Sequence, residues 1–153
     1  MSNFLPGNLS IEHLLAPAAD AAGRTGTVYA DLGNCQKAWL VFYVDQGNAA
    51  TIAVSPVQAT AAAGTGSKVL TNVVPIATIL DMAAGTAWTR QTAAKNYTTD
   101  AGVKVKAIVF EITPEIALDV AGGFRYINVT TGASNAANIT SAILIKQLRL
   151  GKG

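Results

Sequence analysis

Lys37-Ala-Trp-Leu-Val-Phe-Tyr-Val-Asp45 is the stretch that decides the fold. Trp39, Val41 and Tyr43 alternate with Leu40, Phe42 and Val44, so strand-forming residues fill both faces of a period-two pattern. A strand that is apolar on both sides belongs in the middle of a sheet, and Trp39 and Tyr43 are therefore expected in the core. Gln46-Gly47-Asn48 follows as a tight turn, and residues 50–57 are expected to return beside the first strand as a hairpin.

Outward from this pair, residues 103–113 make the next strand, with Ile108, Phe110 and Ile112 on one face and Val105, Ala107 and Val109 on the other; Pro114 ends it. Residues 124–131 and 139–150 read as a second hairpin, joined by a polar loop around Asn135. Residues 27–32 add a strand. For residues 73–83 a strand, an irregular loop and a turn of helix stay open, because Pro75 and the β-branched Val73, Val74, Ile76 and Ile79 pull against helix. Short strands with turn signals and no helical crossovers give an all-β chain. The expected architecture is a single antiparallel β-sandwich or barrel, jelly-roll-like, over residues 26–153.

Residues 1–25 are of another kind. Pro6, Gly7, Pro17 and Gly23 interrupt them, and the apolar piece from Ile11 to Leu15 is too short for an isolated helix. Phe4, Leu5, Ile11, Leu14 and Leu15 are nevertheless too apolar for an idle tail. The expectation is an extended N-terminal arm that lies on a neighbouring protomer or another subunit.

Half of the 153 residues are hydrophobic and only 13% are charged, with one histidine, His13, and one cysteine, Cys35. Acid–base and nucleophilic chemistry need several ionisable groups converging within hydrogen-bond reach, and none can be named, so no catalytic residue and no cofactor is expected. One His and one Cys cannot close a zinc site, and the scattered carboxylates lack calcium-loop spacing. Gly64-Thr-Gly-Ser-Lys68 lacks the spacing of a phosphate-binding loop and reads as an exposed connection. Glu111, Glu115 and Asp119 read as a solvated edge, and Cys35 as a small packed hydrophobe.

The net charge of +2 comes from scattered Lys and Arg, which argues against a nucleic-acid partner. No apolar run approaches the ~20 residues of a membrane span, and the first residues lack the basic stretch of a cleaved secretory signal. The protein is expected to be soluble and made in a cytoplasm. Trp88, in the loop-like Ala87-Trp-Thr-Arg90, is free to meet a partner; with Tyr97 it is the candidate platform of a carbohydrate-binding module.

Two longer segments carry a resemblance. They are Ile52-Ala-Val-Ser-Pro-Val-Gln-Ala-Thr-Ala-Ala-Ala-Gly-Thr-Gly-Ser-Lys-Val-Leu70, and Ala117-Leu-Asp-Val-Ala-Gly-Gly-Phe-Arg-Tyr-Ile-Asn-Val129 followed by Ile139-Thr-Ser-Ala-Ile-Leu-Ile145. In order and spacing they resemble a family of small tailed-bacteriophage virion proteins encoded near the major capsid protein. The likeness extends loosely from about Lys37 to Leu148 and leaves residues 1–35 uncovered; residues 74–100 depart from it.

The resemblance implies a capsid decoration, or cement, protein that binds the major capsid protein on the outer head surface. It would be a homo-oligomer, a trimer above other states, made in the host cytoplasm and carried on the virion. A head-fibre base or a tail-tube component is the second form of that reading. The candidate interface is Phe4, Leu5, Ile11, Leu14 and Leu15 with the loops around Gly64, Trp88 and Asn135.

Overall fold

A computed structural model describes residues 7–149, and its strands follow the period-two runs of the sequence. In chain order they are β1 (Leu9–Ala19), β2 (Arg24–Thr25), β3 (Ala30–Asp31), β4 (Cys35–Gln46), β5 (Ala53–Ala59), β6 (Lys68–Val69) and β7 (Val74–Ile79). They continue as β8 (Thr89–Ala94), β9 (Tyr97–Thr98), β10 (Val105–Ile112), the single-turn helix α1 (Pro114–Ala117), β11 (Tyr126–Thr131) and β12 (Asn138–Leu148). Pro114 both ends β10 and opens α1, at the helix position where a missing backbone donor costs nothing.

The strands form two open antiparallel sheets and no closed barrel, so the chain is an all-β sandwich. The larger sheet has the order β1-β12-β4-β10-β7-β8; the smaller runs β2-β11-β5-β6, with β3 beside β11 and β9 beside β5. Leu144, Leu40, Phe110 and Ile76 stand side by side across four strands of the larger sheet and are buried. Val54, Ile127 and Val129 of the smaller sheet join them in one core. Phe42 and Phe110 meet edge to face there, centroids 5.8 Å apart at 71°, the geometry that the ring quadrupole favours.

Both expected hairpins are corrected. β4 pairs with β10 and β12, whereas β5 pairs with β11, β6 and β9 in the other sheet. In the same way β11 and β12 lie in different sheets. The connections 47–52 and 132–137 are therefore crossings between sheets, and polar side chains tie them together. Asn138 Nδ2 donates to Ala50 O (2.9 Å), Asn138 Oδ1 accepts from Asn48 N (2.8 Å), and Gln46 Nε2 donates to Ala50 O (3.2 Å). Buried backbone groups at a crossing need such partners, which a two-residue hairpin turn would not supply.

The boundary at residue 26 is also corrected, because residues 9–19 are β1, the edge strand of the larger sheet, paired along β12. Leu14 and Leu15 are buried in the chain's own core instead of lying on a neighbour. Two register shifts, between His13 and Leu15 and between Leu15 and Ala18, let two adjacent leucines turn inward and break the alternation that would have revealed a strand. Arg24 donates to Thr140 O (2.6 Å) and to the carbonyls of Ala16 and Ala18, which covers this edge with a charged side chain. Phe4 and Leu5 lie outside the described residues.

Candidate functional site

The period-two pattern of β4 puts Leu40, Phe42 and Val44 into the core, which sends Trp39, Val41 and Tyr43 to the opposite face of the sheet. That face has no second layer over it among the described residues. Register extends it in two rows: Ile11, Ile145, Trp39 and Glu111 in one, and His13, Ile143, Val41, Val109, Ala77 and Arg90 in the other. Ile11 is 54% exposed, Tyr43 43%, Ile143 37% and Trp88 50%. The expectation that Trp39 and Tyr43 belong to the core is thus corrected: β4 is central within its sheet, yet only one of its apolar faces is buried.

Within this face lies a groove of about 370 Å³, with Val41, Val109, Ala77 and Ile145 among its lining and Trp39 and Trp88 both facing it. Lys37 and Glu111 form an ion pair of 2.7 Å at the Trp39 end, and the Lys37 ammonium stands 5.7 Å from the Trp39 ring centroid. Arg90 lines the other end and makes no ion pair among the described residues. Tyr97 is half-buried against the core, behind the sheet whose outer face carries Trp88, so the two do not make one sugar-stacking platform.

The remaining candidates fall elsewhere. Gly64 sits in a tight loop at φ +83°, where a Cβ would come within 2.6 Å of the Tyr29 ring, so its glycine is required by the chain's own packing. Asn135 is half-buried in the crossing before β12, where its Oδ1 accepts from Ala137 N at 2.9 Å. Glu111, Glu115 and Asp119 are held by three separate cations, Lys37, Arg149 and Lys68. Cys35 is buried, and that burial pushes its thiol above the usual range, away from nucleophilic or redox use.

The two segments that carry the virion-protein resemblance meet in space. Lys68 Nζ lies 2.7 Å from Asp119 Oδ2 and 4.0 Å from the Phe124 ring centroid. Gln58 accepts from Asp119 N at 2.8 Å and donates to Val69 O at 2.9 Å. The Lys68 bridge and the backbone N–H of Gly122 hold the Asp119 carboxyl below its usual range. These motif residues clasp a loop to a turn; Lys68, paired in this way, is not offered to a phosphate.

Two buried polar groups fix one end of the sandwich, where Gln46 and Asn138 stand opposite each other. Lys106, fully buried on β10, donates to Gln46 Oε1 (2.7 Å), Gly102 O (2.7 Å) and Asp100 Oδ1 (2.6 Å), and its hydrogen bond is the main cause that holds the Asp100 carboxyl below the usual range. Asp20 is buried as well: its Oδ1 accepts from Thr131 Oγ1 at 2.5 Å and its Oδ2 has no protein partner. Burial pushes the Asp20 carboxyl up, against the opposing pull of Thr131 and Arg24. Both groups stand at crossings, away from the groove, and their partners are structural.

Among the described residues no group of three or more His, Cys, Asp or Glu could hold a metal ion, and no helix is long and apolar enough to cross a membrane. What sequence reasoning missed was the groove itself. Trp39 carried a signal, since an aromatic on the second apolar face of a central strand must meet either another layer or a partner.

No protein-family model matches the chain, and no curated protein matches it. The crystal structure of the SPBc2 prophage-derived protein YomS overlays 94% of this chain and 99% of its own, with a TM-score of 0.47 and 7% sequence identity. A likeness of that degree assigns neither fold nor role.

Proposed function

We propose that this protein is a bacteriophage virion structural protein that decorates the head, docking on the major capsid protein through the outer face of its larger sheet. The observation that carries the reading is that face: Trp39, Val41, Tyr43, Ile143 and Trp88 point away from the core, side by side. Contiguous apolar patches of several hundred Å² on a folded domain mark interaction surfaces. Six strands at ~4.8 Å spacing and roughly 25 Å of strand length give on the order of 600 Å² in projection, close to the ~800 Å² per partner that a stable interface buries.

The remaining surface offers little chemistry. Seven of the nine carboxylates are paired one by one with Lys or Arg, Asp20 is buried, and the thiol is buried. Such a scaffold suits a non-enzymatic subunit present in many copies, as the resemblance of the 52–70 and 117–145 segments implies. A homotrimer around a local symmetry axis of the shell is the assembly we favour.

Binding to the folded shell and not to its dissociated subunits stabilises the shell by mass action. Heads made without this protein should assemble and then release DNA at lower temperature than decorated heads. Labelled protein should map to the head by electron microscopy. Labelling along the tail, or equal heat survival with and without the protein, would reject the cement role.

A further inference from the structure

The groove differs from the rest of the outer face in its charge. At one end Lys37 neutralises Glu111; at the other Arg90 is exposed and makes no ion pair among the described residues. Arg90 sits opposite Ala77, and Ala77 opposite Val109, so its guanidinium borders an apolar floor. The groove thus presents two indoles, an aliphatic floor and one net positive charge at the β8 end.

Resting on the docking role above, we propose that this groove takes an extended apolar segment of the capsid subunit that carries a carboxylate where it meets Arg90. Four strand spacings separate β12 from β8, ~19 Å, which about six extended residues span. A groove of about 370 Å³ takes roughly three side chains, which an extended segment presents on every second residue. Apolar side chains on every second residue meet the floor and the two indoles. The carboxylate forms the charge-assisted, bidentate pair that a guanidinium beside apolar surface favours.

The chain's own N-terminal residues do not meet this requirement. Residues 1–8 include Phe4 and Leu5 but no Asp or Glu, so they would cover the floor and leave Arg90 unpaired. On the outer face Asp45 is the nearest carboxylate in β4 beyond the groove, two outward positions past Val41. A second copy could offer that group, and the experiment separates this case.

The Arg90→Lys protein is bound to undecorated heads and treated with a zero-length carbodiimide, which joins an amine to a carboxylate in contact with it; the wild type is the control. Mass spectrometry should find one cross-link absent from the wild type, from position 90 to an Asp or Glu flanked by apolar residues in the capsid subunit. Arg90→Glu should weaken head binding at least tenfold, and Arg90→Lys by less. A cross-link to Asp45 of another copy assigns the groove to self-association and overturns the proposal. So does an undiminished affinity of Arg90→Glu, or loss of binding on adding a soluble oligosaccharide. Head binding that persists in Arg90→Glu leaves the docking role standing, whereas a wild type that does not bind heads at all removes that role first.

Discussion

Trp39 and Trp88 line one groove although three strand positions separate β4 from β8 in the sheet. β10 and β7 fill the gap between them with Val109 and Ala77. The indoles therefore rise above a floor of small and branched side chains that the sheet register sets. Trp39 belongs to β4, whereas Trp88 lies in the connection that enters β8, so one wall is a strand residue and the other a loop residue at the sheet's edge.

Leu14 and Ile11 lie on one strand but face opposite ways, Leu14 inside the core and Ile11 on the outer face. Leu14→Ala should lower the unfolding free energy by roughly 2–5 kcal/mol, the range for a buried leucine, whereas Ile11→Ser should change it by less than about 0.5 kcal/mol. Removing residues 2–22 deletes β1 and should produce a destabilised protein with more exposed apolar surface. Urea unfolding of the three variants checks this. Equal effects of Leu14→Ala and Ile11→Ser would show that residues 9–19 do not pair as described.

Lys106 has no exposed side-chain surface, and its ammonium holds Gln46, Asp100 and the Gly102 carbonyl. Lys106→Met removes the charge but leaves those acceptors facing a methyl group. Asp100 is half exposed and hydrates, so the expected loss is about 1–3 kcal/mol, the scale for leaving the buried Gln46 and Gly102 oxygens unsatisfied, read as a lower urea midpoint at an unchanged slope. A variant as stable as the wild type would mean that water reaches those acceptors freely.

Asp20 gives a pH dependence of defined sign. Burial raises its folded pKa above the ordinary value of 3.8, so the folded state holds the proton more tightly than the unfolded chain. The stability it contributes is fully present below the unfolded value and is lost as pH rises through the folded one. Asp20→Asn cannot ionise. The wild type should therefore lose stability relative to Asp20→Asn as pH rises above about 4, until the carboxyl is fully ionised. A difference that does not change with pH in parallel unfolding curves would contradict the raised pKa.

Much of the fold could be read in the alternation of apolar residues, since the runs 37–45 and 103–113 became β4 and β10. What alternation does not encode is which strands become neighbours. Asn138, Gln46 and Asp20 decide the crossings, and they act through partners far away in sequence, Ala50, Asp100 and Lys106, and Thr131 respectively. β1 was hidden for a different reason: its register shifts place Leu14 and Leu15 both inward and Pro17 near its end.

For the site, Trp88 was legible as exposed because its surroundings lack a period. Trp39 was not, because an apolar residue awaiting a partner and one awaiting a second layer look alike in sequence. The 64–68 and 119–124 stretches were legible as parts of one resemblance, but only the structure brings Lys68, Asp119 and Phe124 into contact.

The most direct measurement of the central claim is the affinity of the Tyr43→Asp, Ile143→Asp double variant for undecorated heads. Both side chains are partly exposed on the outer face, so the double variant should fold, with a melting temperature lowered only modestly by the poor strand propensity of aspartate. Binding, measured by co-sedimentation with heads, should fall at least tenfold as two carboxylates are forced against an apolar contact. A folded double variant that decorates heads as tightly as the wild type would show that the outer face of the larger sheet is not the docking surface.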